Sequence, residues 1–162
     1  ICSWISVSAG PVPFTLQTFA VFVTAALLGT KRGTIAVVVY ILLGIIGVPV
    51  FAGLTGGPSV IAGPTGGFIV GFILTAIIIG LLMNLTNGKS EVVKLVITVV
   101  AMILGDVACF AIGTVWFMVV TNNTVAVALT YCVIPYIIPD IAKIVVATII
   151  ANRVKKYVQI FN

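Results

Sequence analysis

Long apolar runs, separated by short stretches rich in glycine, proline or charge, constrain the fold of this chain most strongly. A run of about 20 apolar residues can cross the hydrocarbon core of a membrane as a helix. We therefore predict helical spans near residues 16–28, 34–48, 66–85, 92–120 and 134–151. Residues 1–9 are interpreted as the tail of a further helix, truncated in this chain.

The composition supports a membrane environment along the whole chain. Of the 162 residues, 62% are hydrophobic and 7% are charged, which leaves too few polar side chains to cover a soluble domain. We therefore predict an all-α integral membrane protein with a single transmembrane domain spanning residues 1–162. Because no room remains for an aqueous catalytic domain, we predict that the chain is not an enzyme.

Metal and cofactor chemistry are not indicated by the sequence. The chain contains no His, which removes the commonest metal ligand and general base. The three cysteines, Cys2, Cys109 and Cys132, lie in apolar segments without the spacing of a metal site. We predict no metal and no cofactor.

The basic residues alternate with the spans in a way that indicates orientation. The connections at residues 10–14, 49–64 and 121–133 contain no Lys or Arg, and the other connections and the last helix contain Lys31, Arg32, Lys89, Lys94, Arg153, Lys155 and Lys156. By the positive-inside rule, this pattern predicts six helices with both termini in the cytoplasm. Small clusters of this kind are typical of orientation signals, so nucleic-acid binding is not predicted.

The second outer connection is unusually rich in glycine and proline. The stretch "PVFAGLTGGPSVIAGPTGG" contains six Gly and three Pro around Phe51, Leu54, Val60 and Ile61. Irregular backbone at membrane depth needs protein or a water-filled cavity to satisfy its polar groups. We predict that this long outer loop folds back into the mouth of the bundle as a lid or cavity wall; a plain surface loop is the alternative.

Two ionisable residues lie deep in the last span. Counted at about 1.5 Å per residue, Asp140 lies roughly 20 Å and Lys143 roughly 15 Å from Arg153 at the inner surface. Ionisable groups at such depth are costly, so they face the bundle interior and need a partner. The i, i+3 spacing lets them pair with each other, either as a structural ion pair or as a binding site for a polar ligand. Pro139 either begins this helix or kinks it.

Other candidate site residues are less strongly indicated. Asp106 lies halfway along the predicted span 92–120. It either turns toward Lys143 or stays protonated, because burial disfavours the charged form. The remaining candidates, for which packing is an equal alternative, are the polar residues Gln17 and Thr18 and the aromatic residues Trp116 and Tyr136.

Five stretches together resemble one known family. They are "PVPFTLQTF", "LLGTKRG", "GVPVFAG", "GPTGGFIVGF" and "PDIAK". In this combination they resemble the biotin-specific S component, the substrate-binding membrane subunit of energy-coupling factor (ECF) vitamin transporters. The resemblance covers nearly the whole chain.

The resemblance implies a six-helix protein of the bacterial cell membrane that captures biotin from the outer side with high affinity. It also implies a transmembrane coupling subunit and two cytoplasmic ATPase subunits as partners, with membrane lipid around the bundle. Biotin offers two ureido N–H donors, which suit Asp140, and a ureido oxygen and carboxylate, either of which suits Lys143. Ser59 is added to the substrate-binding residues because it lies near "GPTGG".

Three alternatives stay open. The first is an S component for another vitamin, such as thiamine or riboflavin. The second is a self-sufficient carrier in which Asp106 and Asp140 relay protons beside Lys143. The last alternative is a structural protein whose buried charges fix the helix register and which has no small-molecule ligand.

Overall fold

The computed structural model describes residues 2–7 and 12–160, with side chains described up to residue 155. Its strands are β1 (Ser6–Val7) and β2 (Phe14–Thr15). Its helices are α1 (Gln17–Ile45), α2 (Pro58–Ala62), α3 (Gly66–Met83), α4 (Glu91–Thr121), α5 (Val125–Cys132) and α6 (Ile137–Ile160). Short 3-10 turns occupy Ala52–Leu54, Asn84–Thr86 and Ile134–Tyr136.

Helix α1 is two antiparallel arms joined at Gly29. This glycine has φ 73° and ψ −174°, a conformation that leaves the helix and suits a residue without a Cβ. In a straight helix, positions 17 and 40 would be about 35 Å apart. Here Gln17 Nε2 donates a hydrogen bond to the hydroxyl of Tyr40 at 2.6 Å. The arms, residues 17–28 and 30–45, match the predicted spans 16–28 and 34–48 to within a few residues.

The membrane class is confirmed. Within the described residues, four helical segments are long and apolar enough to cross a membrane: Gln17–Ile45, Gly66–Thr86, Glu91–Thr121 and Val125–Lys155. The two arms of α1 are about 18 and 24 Å long, so each is shorter than the roughly 30 Å hydrocarbon core. They therefore need support from the helices around them.

Helix α3 lies at the centre of the bundle and packs against α1 on one side and α4 on the other. Small residues let the backbones approach closely, as is usual between membrane helices. A Cβ added at Gly71 would lie 3.1 Å from Cys109 Sγ of α4. At the other contact, a Cβ at Gly80 would overlap Thr30 of α1. Helix α6 completes the bundle against α1 and α4.

Two local predictions differ from the structure. The predicted helical tail over residues 1–9 is wrong for the described residues 2–7, which form a turn and the strand β1. That strand pairs antiparallel with β2, Ser6 opposite Thr15. Residues 1 and 8–11 lie outside the described residues. Helix α5 falls within the connection predicted at 121–133, because its apolar run is too short to be recognised as a span.

The bundle has two chemically different ends. The starts of α1, α3 and α6 and the end of α4 meet at one end, together with β2 and the glycine-rich segment. At the opposite end the Gly29 turn meets the turn after α3, where Asn84 Nδ2 lies 3.4 Å from Thr30 Oγ1. The connections with basic residues all lie at this second end.

Candidate ligand-binding site

The buried ion pair predicted on the last helix is present in the first turns of α6. Lys143 Nζ lies 2.7 Å from Asp140 Oδ1, and the two residues are only 6% and 2% exposed. Pro139 precedes them in the first turn, where its missing N–H removes no helical hydrogen bond. The i, i+3 spacing then brings the two side chains to the same face, as the sequence predicted.

Lys143 is held by three groups from two distant parts of the chain. Besides the carboxylate, its ammonium donates a hydrogen bond to Thr18 Oγ1 at 3.0 Å. It also lies 4.6 Å from the centroid of the Phe14 ring, a favourable cation–π distance. The strand β2, through Phe14, and the start of α1, through Thr18, therefore both contact the ammonium group of Lys143.

Asp140 retains capacity to accept a further hydrogen bond. Its Oδ1 atom is buried and lies 2.7 Å from Lys143 Nζ, and the two oxygens of a carboxylate together offer about four lone-pair sites. Buried carboxylate oxygens in proteins are normally satisfied by several donors. The atom is thus suited to an N–H donor supplied by a ligand.

A partly open cavity of about 200 Å³ lies beside this pair. Its polar lining consists of Thr15, Gln17, Thr18, Thr55, Thr65, Tyr136, Asp140 and Lys143. Its apolar lining includes Phe51, Val60, Phe68, Ile69, Phe72 and Phe110. A mostly apolar wall with a few polar groups at one side is the usual composition of a small-molecule site.

One wall of the cavity is fixed by a chain of hydrogen bonds. Thr15 Oγ1 lies 3.2 Å from Gln17 Oε1, and Gln17 Nε2 donates to the hydroxyl of Tyr40. That hydroxyl donates in turn to the carbonyl of Val50 at 2.9 Å. The chain links the helix entrance to the glycine-rich segment and positions the next residue, Phe51.

Phe51 supplies the apolar side chain that this wall presents to the cavity. It is 1% exposed, and its ring meets Tyr40 edge-on with 5.7 Å between centroids. On its other side it lies against the backbone of Gly44, where a Cβ would overlap the ring. The glycine-rich segment therefore places the large side chain of Phe51 in the bundle. That the segment acts as a lid or cavity wall stays a prediction. Leu54 of the same segment is exposed.

The opposite wall is aromatic. Tyr136 stacks on Phe14 with 5.9 Å between centroids and also meets Phe110 at 6.4 Å. Its hydroxyl donates to the carbonyl of Val12. Tyr136 thus ties the segment before β2 to the start of α6 while it lines the cavity.

The structure brings four of the seven predicted site residues together, namely Asp140, Lys143, Gln17 and Tyr136. Asp106 is buried on α4 and interacts electrostatically with Asp140 and Lys143, but it does not line the cavity. Trp116 donates its indole N–H to the carbonyl of Gly63 at 3.0 Å, which fixes the segment before α3. Ser59 is exposed on α2. Ligand contact by these last three stays a prediction.

Sequence reasoning missed the contributions of Phe14, Thr15 and Tyr40. Phe14 and Thr15 belong to "PVPFTLQTF", a stretch that carries the family resemblance but for which no contact of these two residues was predicted. Tyr40 is the one residue with a polar side chain in the apolar run "IAVVVYILL", and this was the available signal. Phe68 and Phe72 were also missed, although their i, i+4 spacing places them on one helical face.

The helices and the charge-containing cavity define an α-helical membrane protein with an internal cavity. The sequence profile described as the BioY family matches residues 1–160. This chain belongs to the BioY family, and the predicted resemblance is confirmed.

Individual relatives agree with the family assignment. The "Biotin transporter BioY" of Thermotoga maritima is 43% identical over 95% of this chain and 87% of its own length. The "Probable biotin transporter BioY" of Pyrococcus horikoshii is 40% identical over 93% of this chain and 85% of its own length. The crystal structure of the S component for biotin from an ECF-type ABC transporter superposes with a TM-score of 0.84 at 27% identity. It covers 96% of this chain and 83% of that chain.

Proposed function

We propose that this chain captures biotin and takes part in its import as the S component of an ECF-type transporter. The observation that carries the proposal is the buried Asp140–Lys143 pair at the wall of the cavity. The names of the relatives and of the structural neighbour support the same ligand and the same class of transporter. All of these relatives are named as transporters, and the chain is not an enzyme.

The groups of biotin match the cavity one by one. A ureido N–H is placed to donate to the Asp140 carboxylate, whose two oxygens offer more lone-pair sites than the contact with Lys143 uses. The ammonium of Lys143 is placed to donate to the ureido oxygen or to the carboxylate. The apolar thiophane ring then lies against Phe51 and the phenylalanines of α3.

The proposal includes an orientation and partners. The basic end faces the cytoplasm and the cavity end faces outward, following the distribution of Lys and Arg. With both arms of α1 counted, the described residues cross the membrane five times, and the end of α6 lies in the cytoplasm. The coupling subunit and the two ATPase subunits of an ECF module supply the energy for import.

Biotin titration of the purified protein tests the function directly. Trp4 and Trp116 report on the cavity mouth, because their indoles bond the carbonyls of Pro49 and Gly63 in the outer segments. We expect saturable one-to-one binding by fluorescence and calorimetry, lost in Asp140→Asn. The matched control is Glu91→Gln, which removes a carboxylate at the opposite end. Binding of thiamine or riboflavin in place of biotin, or of none of them by a folded sample, would contradict the proposal.

Asp106 supports a second candidate, a proton-coupled carrier. It is the second buried carboxylate close to Lys143, and such groups form proton relays in membrane transporters. This candidate predicts biotin accumulation by the chain alone in vesicles with a proton gradient, abolished by an uncoupler. An S component instead requires the ATPase subunits and ATP.

Replacing Tyr40 by phenylalanine is expected to weaken biotin binding about tenfold, because Gln17 and the Val50 carbonyl lose a partner worth about 1–3 kcal/mol. Phe51 then loses its fixed position at the cavity wall. Calorimetry measures the affinity, with Tyr131→Phe as the matched control because that hydroxyl is on an exposed residue of α5. An unchanged affinity in Tyr40→Phe would show that the hydrogen-bond chain does not position the wall.

A further inference from the structure

The end of the bundle opposite the cavity has a large excess of positive charge. Seven of the eight basic residues belong to it by sequence, whereas Glu91 is its one acidic residue. Most of the described basic side chains there are on exposed residues: Lys31, Arg32, Lys89 and Arg153. They are free to extend into water.

Lys94 and Lys155 differ from these residues because both are partly buried. The side chain of Lys94 is 28% exposed and makes an ion pair with Glu91 at 2.9 Å. A partly buried lysine at the end of a membrane helix extends its ammonium along the apolar surface toward the headgroup region. The depth of these two residues is therefore that of a lipid headgroup.

The packing of α4 against α6 brings the two lysines together. Thr148 Oγ1 of α6 lies 3.5 Å from Met102 Sδ of α4, and the helices run antiparallel. One turn nearer the basic end, Thr98 of α4 and Ala151 of α6 are both 0% exposed. One further turn, at the usual 3.6 residues, leads to Lys94 on one helix and Lys155 on the other.

Two cations at one helix interface repel each other, and the electrostatic interaction between Lys94 and Lys155 has this sign. A doubly contacted anion would turn the repulsion into attraction. The apolar residues next to the pair, Leu95 and Val154, are 48% and 37% exposed. A ligand that joins a phosphate to acyl chains satisfies both the cations and this apolar flank.

We propose that Lys94 and Lys155 form a binding site for the phosphate of an anionic phospholipid at the end of the α4–α6 interface. The phosphate lies between the two ammonium groups, and the acyl chains run along the exposed apolar residues of both helices. The site is separate from the ligand cavity and does not depend on which solute the cavity takes.

Native mass spectrometry and lipid nanodiscs test the site with phosphatidylglycerol as the probe and phosphatidylcholine as the neutral reference. We expect the wild-type chain to retain phosphatidylglycerol and to be thermally stabilised by it. Lys94→Gln with Lys155→Gln is expected to weaken this lipid binding at least about tenfold. The matched control, Lys31→Gln with Arg32→Gln, removes the same charge from exposed residues at the same end and is expected to retain the lipid.

Several outcomes would overturn the proposal. Equal loss in both double variants would mean a diffuse electrostatic attraction without a site. Equal stabilisation by inorganic phosphate in phosphatidylcholine nanodiscs would mean a free-anion site. The wild-type chain could also bind phosphatidylglycerol and phosphatidylcholine equally, while the variant with Lys94→Gln and Lys155→Gln fails to assemble with the subunits of an ECF module. This result would mean that the two lysines bind an acidic protein partner. Lys94→Arg with Lys155→Arg keeps the charge and must retain the lipid if the site is as described.

Discussion

Replacing Lys143 by alanine is expected to abolish biotin binding and to lower the free energy of unfolding by about 3–5 kcal/mol. The reason is that Asp140, 2% exposed, would be left without its cation at 2.7 Å. Thr18 and Phe14 would lose their contacts with the ammonium as well. Thermal unfolding in a Cys2→Ser background, followed with a thiol-reactive dye, measures the stability. Cys109 and Cys132 are buried until the bundle opens, whereas Cys2 is partly exposed and would react in the folded protein.

A double variant separates the two effects of the pair. Replacing both Asp140 and Lys143 by leucine removes both buried charges, and such replacements are often neutral or stabilising. We therefore expect stability close to that of the wild type but no biotin binding. A Lys143→Ala protein that is fully stable and binds biotin fully would contradict both the proposed contact and the argument from burial.

Local geometry explains which parts of the site the sequence predicted. The spacing of Asp140 and Lys143 fixes their relation as soon as the segment is helical, because positions i and i+3 share a face. The cost of burying a charge then requires that this face points into the bundle. Gln17 and Thr18 were predicted at the same end because they stand at the entrance of a span.

Long-range contacts account for what sequence reasoning missed. The ring of Phe14 covers an ammonium that comes from the last helix, and no periodicity relates such distant positions. Tyr40 reaches Gln17 only because the chain reverses at Gly29. The reversal itself was predicted between the spans 16–28 and 34–48, but its tightness was not, since the prediction allowed five residues between the two spans.

Side-chain direction accounts for the residues that the structure leaves away from the cavity. Trp116 was proposed as a cavity wall because it is aromatic and lies in the outer half of a span. Its Cβ instead packs on Gly67, and its indole bonds the carbonyl of Gly63. The sequence indicates how deep in the membrane a residue lies. The direction in which its side chain points depends on which neighbouring residue is small enough to accept the ring.

Replacing Gly44 by alanine is expected to weaken biotin binding at least tenfold and to destabilise the fold by about 1–3 kcal/mol. The added Cβ would overlap the Phe51 ring, which is 1% exposed and has no free space to move into on the Tyr40 side. Phe51 must therefore shift toward the cavity or leave the bundle. Either movement removes a wall of the proposed site and strains the bond from Tyr40 to Val50. Calorimetry and the unfolding midpoint measure the two effects.

The same substitution in a Phe51→Ala background tests this cause. Truncating Phe51 weakens binding by itself, but it also leaves room for a Cβ at position 44. Alanine is favoured over glycine inside a helix by up to about 1 kcal/mol, so Gly44→Ala should now be neutral or stabilising. The sign of its effect on the unfolding midpoint thus reverses between the two backgrounds. Equal destabilisation in both backgrounds would mean that Gly44 acts through the helix backbone. The packing of the Phe51 ring between Gly44 and Tyr40 would then not be what holds Phe51 at the cavity.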